Sequence, residues 1–198
     1  RREQRVLNTG LEVASMTRPT VLVVEDQEQL AELYETWLSG DYDVATAYSA
    51  SEATELLDGI DVALLDRRLP DGSGDDVLEQ IRERDIDARV AMVTAVDPDF
   101  DILEMGFDDY VVKPIDKEEL LELVSGLLDR RQYSNDVQRF YSLASKRAML
   151  EAEKSVTELD ETEAYNALLE ELEELEASLE DRTVGLSDDD YEALFHEL

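Results

Sequence analysis

Cysteine is absent from the 198 residues, which excludes disulfides and thiolate metal sites. Histidine occurs once, as His196, and a single histidine there reads as a surface residue rather than a phosphocarrier or ligand. Positive charge is scarce: 18 bases face 51 acids, the net charge is −33, and only four of the bases are lysine. Long apolar runs are missing too. None approaches the roughly 20 residues that span a bilayer, and residues 1–17 lack the apolar core of a signal peptide. The expectation is a cytoplasmic protein with no membrane partner.

The charge deficit carries two further implications. Binding to nucleic acid by bulk electrostatics is disfavoured, because phosphate contacts dominate that affinity. Self-repulsion on this scale is relieved in molar salt, where the screening length falls to about 3 Å. A host with a salty cytoplasm, such as a halophilic archaeon, is therefore expected. Hydrophobic content of 43% is nonetheless enough for a real core, and the length suits one ordinary domain with a small appendage.

What is present is organised around Asp61-Val-Ala-Leu-Leu-Asp66-Arg-Arg-Leu-Pro-Asp-Gly72. An apolar run delivers one carboxylate, Asp66, and then turns sharply. Three other apolar runs also end in polar groups: 21–24 before Glu25 and Asp26, 90–93 before Thr94, and 109–112 before Lys113-Pro114. Helical periods separate them. Residues 27–39 repeat Leu30, Leu33, Tyr34, Trp37 and Leu38 on one stripe, with Trp37 assigned to the core. Ser49 or Ser51 caps a short helix carrying Ala53, Leu56 and Leu57. Residues 74–84 carry Val77, Leu78 and Ile81. A stretch opened by Asp97-Pro98 is helical only to about Met105, and Asp116 caps a helix bearing Leu120, Val124 and Leu127. With a strand at 42–47, five strands alternate with helices, which implies a doubly wound parallel sheet covered on both faces. Ligands in such sheets sit beyond the carboxyl ends of the strands, where the four polar endings would converge.

Glu25, Asp26 and Asp66 side by side would repel one another. A divalent cation resolves that, and Mg²⁺ suits a few carboxylates with waters and phosphate oxygens. One carboxylate can then act as nucleophile on a phosphoryl group, while a lysine and a hydroxyl hold its oxygens.

Residues 18–131 resemble the receiver domain of two-component response regulators. The resemblance rests on Glu25-Asp26, on Asp66 with the Leu69-Pro70-Asp71-Gly72 loop, on Thr94-Ala95, and on Tyr110 three before Lys113-Pro114. It implies a flavodoxin-like five-stranded sheet in the order 2-1-3-4-5. It also implies that Asp66 accepts phosphate from a sensor histidine kinase. Asp26 and Asp66 would ligate Mg²⁺, with Glu25 acting through water and the backbone carbonyl of Arg68 completing the protein ligands. Lys113 and Thr94 would be catalytic, and Thr94 and Tyr110 would form the switch pair: the hydroxyl moves to the phosphoryl oxygen and the ring swings inward. Such a domain is a switch rather than a turnover enzyme. One departure concerns the fourth helix, because only 18 residues lie between Thr94 and Lys113. A dimer face built around that helix is therefore not expected. The competing enzyme class, haloacid dehalogenase phosphatases, needs a second aspartate two residues after the nucleophile. Arg68 stands there.

From Tyr133 the composition changes to Ala, Leu and Glu. Met149, Ala152, Val156 and Leu159 step at helical spacing, as do Tyr165, Leu168, Leu172, Leu175 and Leu179. Asp160 to Glu163 resembles a capping box between them. The expectation is an α-helical hairpin or coiled coil, with Phe140–Glu151 packing on it or on the sheet domain. Residues 132–181 resemble the HalX domain that follows receivers in haloarchaeal regulators, through Leu143-Ala-Ser-Lys-Arg-Ala-Met-Leu-Glu-Ala-Glu-Lys154. Residues 1–17 read as a flexible leader and 182–198 as an acidic tail with a short helix over 188–198. Residues 132–198 hold 19 acids and 5 bases, with no basic face of the kind DNA-reading modules show. An exposed leucine seam for a protein partner or self-association is the expected output. A DNA-binding transcriptional regulator under the same control is the alternative.

Overall fold

The computed structural model describes residues 18–130 and 135–183. The leader, His196 and the helix expected at 188–198 lie outside the described residues. The elements follow the apolar runs closely. Strands β1 (Thr20–Val24), β2 (Asp43–Ala47) and β3 (Val62–Leu65) alternate with helices α1 (Glu28–Leu38) and α2 (Ala50–Glu55). A small antiparallel pair, β4 (Arg68–Leu69) and β5 (Gly72–Ser73), leads into α3 (Gly74–Glu83). Strand β6 (Arg89–Thr94), a 3₁₀ turn (Phe100–Glu104), β7 (Asp109–Val112) and α4 (Lys117–Arg130) complete this part.

The main sheet is parallel, in the order β2-β1-β3-β6-β7. With the two-residue strands set aside, this is the expected 2-1-3-4-5 order. Successive side chains point to opposite faces of a strand, and each face is covered. Leu22, Val24, Ala63, Leu65 and Met92 face α2, α3 and the 3₁₀ turn. Val21, Val23, Leu64, Ala91 and Val93 face α1 and α4. Such two-sided burial explains why the strands read as continuous apolar runs. The caps are local. Ser49, rather than Ser51, caps α2, Ser73 and Asp76 form a capping box on α3, and Asp116 and Glu119 exchange hydrogen bonds at α4. Trp37 is half-buried against Tyr34, whereas Leu33 turns out to water. Among the described residues no helix is long and apolar enough to cross a membrane.

The C-terminal part differs from the sequence expectation at the end of its first helix. The first helix, α5, is longer and runs Asn135–Glu153. It stops before Ser155, whose hydroxyl and backbone exchange hydrogen bonds with Glu158 to start a separate short helix, α6 (Val156–Asp160). The capping box is therefore at Ser155, not Asp160. Val156, expected on the apolar stripe, is exposed. As the sequence leads one to expect of a hairpin, α7 (Glu163–Thr183) lies antiparallel to α5, since Arg139 near the start of α5 pairs with Glu171 while Glu151 near its end meets Tyr165.

The leucine seam is not exposed. Tyr165, Leu168, Leu172 and Leu179 are buried, in the same apolar core as Val137, Phe140, Leu143 and Leu150 of α5 and Met92, Ile102, Phe107 and Tyr110 of the sheet domain. The hairpin thus packs on itself and on the sheet domain together. It covers the region beside β7 where the sequence leaves only five residues of 3₁₀ turn. An apolar face left bare by a short fourth helix is costly in water, and α5 and α7 fill it.

Candidate functional site

Backbone pairing carries the polar strand endings to one edge. The Asp66 N–H donates to Val24 O at 2.9 Å, which sets Asp66 beside Glu25. The Lys113 N–H donates to Thr94 O at 2.8 Å, which sets the lysine beside the hydroxyl. At the centre, Asp66 is 6% exposed. Its Oδ1 accepts from the Arg68 N–H at 3.0 Å and from Thr94 Oγ1 at 2.8 Å, and its Oδ2 accepts from Lys113 Nζ at 2.5 Å. Lys113 Nζ also donates to Glu25 Oε2. Glu25 is buried and its second oxygen accepts from the Gln27 N–H at 3.2 Å.

The electrostatics follow from that crowding. Burial pushes the Glu25 carboxyl above the usual carboxylate range, and Lys113 opposes the rise without cancelling it. Tyr34 is pushed up to about 12, first by burial and then by the charges of Glu25 and Asp66. Ligand oxygens of Glu25, Asp26 and Asp66 lie within 4.8 Å of one another, with Asp26 open to solvent. Hard oxygen donors of this kind, with one exposed member, fit a Mg²⁺ that keeps several waters.

Thr94 is fully buried. Its oxygen also accepts from the Val96 N–H at 3.3 Å. The Tyr110 ring is fully buried too, and its hydroxyl donates to Val96 O at 2.6 Å. Every residue singled out by the sequence thus lies at this edge or on the strand leading to it. Arg68 contributes its backbone N–H, and its side chain is exposed.

Two residues of the site escaped the sequence reading. A Cβ at Gly74 would lie 2.2 Å from the Asp66 carbonyl oxygen, so only glycine lets α3 approach the loop this closely. Arg67 is largely buried and pairs with Asp75 at 2.8 Å and with Asp101 at 2.5 Å. These carboxylates hold its guanidinium above its ordinary value, against the opposing effect of burial. No motif marks an arginine after the acid.

A model of the response regulator receiver domain matches residues 21–125, more than half of the chain. The chain belongs to the response regulator receiver family. A HalX domain model matches residues 129–195, so the receiver is followed by HalX. Among curated relatives, a Haloferax volcanii protein named "Putative transcriptional regulator" is 49% identical over 162 residues, covering 81% of this chain and 28% of that protein. The response regulator protein PilR of Pseudomonas aeruginosa is 38% identical over 122 residues, covering 59% of this chain and 27% of PilR. The chain thus spans little more than a quarter of the curated relatives it matches. The structure of the Thermotoga maritima response regulator TrrA, in complex with Mg²⁺ and a beryllium fluoride, superposes with a TM-score of 0.50 at 31% identity. The match covers 56% of this chain and 99% of that one. The receiver here has the same fold, with an acidic group of Glu25, Asp26 and Asp66 at the ends of β1 and β3.

Proposed function

We propose that this receiver is a phosphorylation-controlled switch in which Asp66 is the phosphoacceptor. The observation that carries the reading is the Asp66 carboxylate, buried at the end of β3 with Thr94 and Lys113 on its two oxygens. A carboxylate oxygen attacks the phosphorus of a phosphohistidine on a sensor kinase. The P–O bond forms as the P–N bond breaks, and the released imidazole nitrogen takes a proton. Lys113 and Thr94 are the groups within reach of the phosphoryl oxygens. Their positions are set before the reaction, which is where most catalysis of phosphoryl transfer comes from. Glu25, Asp26 and Asp66, with the Arg68 carbonyl, would hold Mg²⁺, which supplies charge neutralisation on the transferred group. The phosphoryl group adds roughly −1.5 to −2 charges and new acceptor oxygens. Those oxygens offer the Thr94 hydroxyl acceptors beyond the Asp66 oxygen it already meets, with Tyr110 following it as the other half of the switch. The chain turns nothing over beyond its own phosphorylation and dephosphorylation. Asp66→Asn should abolish labelling by acetyl phosphate with Mg²⁺, and labelling that survives overturns the assignment.

For the output, the reading is protein contact by the HalX helices rather than direct DNA contact. It is supported by the outward side of α7, where Glu163, Glu170, Glu173, Glu174 and Glu176 are exposed, a surface that repels phosphate. The name of the Haloferax relative favours the second reading, a transcriptional regulator acting on DNA. A gel-retardation assay in molar KCl with phosphorylated protein and genomic fragments separates them. Sequence-selective shifts would sink the first.

A further inference from the structure

The 3₁₀ turn at 100–104 stands between the phosphoacceptor and the HalX helices, and it is tied on both sides. Toward the site, Arg67, the residue after Asp66, donates to the Asp101 carboxylate at 2.5 Å. Toward HalX, Lys154 pairs at 2.8 Å with Asp99, which caps the turn by accepting from the Phe100 N–H. Lys146 reaches the other end. Its Nζ donates to Met105 O at 2.5 Å and lies 4.9 Å from the centre of the Phe107 ring. The chain has four lysines. One is in the site, and two hold this turn. Lys146 is 1% exposed, and a buried ammonium is costly unless its partners stay in place.

A second line of contacts leads to the same place. Asp66 is bonded to Thr94, Thr94 to the Val96 N–H, and Val96 O to the Tyr110 hydroxyl. The two flanks of Tyr110 are then held by α5, where Ser142 donates to Phe107 O at 2.8 Å and Ser145 to Asp109 Oδ1 at 2.8 Å. With α5 docked, Tyr110 is buried and Thr94 reaches Asp66. A phosphoryl group on Asp66 adds acceptors for that same hydroxyl. Docking and phosphorylation therefore favour one arrangement.

We propose that α5 and α7 are a built-in ligand of the receiver switch, positively coupled to the phosphorylation of Asp66, with Lys146 and Lys154 as the positioning residues that join them through the 3₁₀ turn. The inference rests on the phosphoacceptor reading above. Coupling between two sites is reciprocal, so it is visible from either end. A phosphoryl mimic tightens the docking of α5 and α7, and loosening their grip weakens the mimic.

The test uses the full chain in molar KCl with Mg²⁺ and beryllofluoride. Hydrogen exchange in α5 and α7 should slow on adding the mimic. Lys154→Gln and Asp99→Asn, which remove the ion pair while an amide oxygen at 99 can still cap the turn, should each weaken beryllofluoride by about fivefold, the lower end of typical coupling. Lys146→Met should weaken it more. The double variant Lys154→Gln with Asp99→Asn should weaken it no more than either change alone, because one shared ion pair is lost, whereas two independent losses of stability would add. Unchanged or faster exchange with the mimic bound overturns the proposal and leaves the receiver reading standing, as does wild-type affinity in Lys154→Gln and Asp99→Asn. Failure of the wild type both to bind the mimic and to accept label from acetyl phosphate removes the receiver reading, and this inference with it.

Discussion

Thr94 Oγ1 lies 2.8 Å from Asp66 Oδ1, and both residues are buried. The hydroxyl that would hold a phosphoryl oxygen already points at the carboxylate that would carry it. Thr94→Ala removes that donor but leaves the Arg68 N–H and Lys113 on Asp66. Hydrogen bonds to charged groups contribute about 1.5–3 kcal/mol, so beryllofluoride should bind roughly ten- to a hundredfold more weakly while labelling of Asp66 persists. Calorimetric titration checks it; an unchanged affinity removes Thr94 from the site.

Gly74 is a packing requirement of the phosphoacceptor loop. Gly74→Ala puts a methyl group 2.2 Å from the Asp66 carbonyl oxygen, and backbone cannot swing aside as a flexible side chain can. Overpacking of this kind costs about 1–3 kcal/mol. Urea unfolding in molar KCl should show a lower midpoint with an unchanged slope. A wild-type midpoint would mean that α3 and the loop part freely.

Much of the site was legible because it is built from strand ends. An apolar run buried on both faces is visible as a run, and the residue that closes it is visible as the break. That is how Glu25, Asp66, Thr94 and Lys113 stand out. The 18 residues between Thr94 and Lys113 also announced the short fourth helix. What fills the resulting gap was not legible, since α5 reaches β7 through contacts between residues some 35 positions or more apart, such as Ser142 with Phe107 and Lys146 with Met105. The leucines of α7 read as an exposed seam for the same reason. Their period shows a buried face but not what buries it. The break at Ser155 was missed because Val156 and Leu159 happen to continue the helical step across it.

Leu168 and Leu172 test whether the seam is core. Both are buried. Leu→Ala changes in cores cost about 2–5 kcal/mol, so either substitution should lower the urea midpoint of the full chain and speed exchange in α5. Light scattering should meanwhile give an unchanged mass without the mimic. A lower mass at unchanged stability would instead make the seam an interface between copies.

Lys146 supplies a pH dependence. Burial lowers its ammonium to about 8, with Arg139 on the same helix adding to the fall and Glu171 of α7 and Asp108 before β7 opposing it. Below pH 8 the lysine is charged in both states and its burial costs in full. Between about 8 and the ordinary 10.5 the unfolded chain holds a proton that the folded chain has lost, so stability rises with pH. The stability of wild type relative to Lys146→Met should therefore increase between pH 7.5 and 10, by denaturant unfolding at each pH. A flat difference would place the ammonium in water rather than beneath α5.

Phosphorylation of Asp66 is read most directly from the intact mass of the full chain after acetyl phosphate, with Mg²⁺ and again with the metal chelated. A gain of one phosphoryl group is expected only with Mg²⁺, lost in Asp66→Asn and mapped to Asp66 after borohydride reduction. A gain on any other residue, or none with the metal present, would contradict Asp66 as the phosphoacceptor.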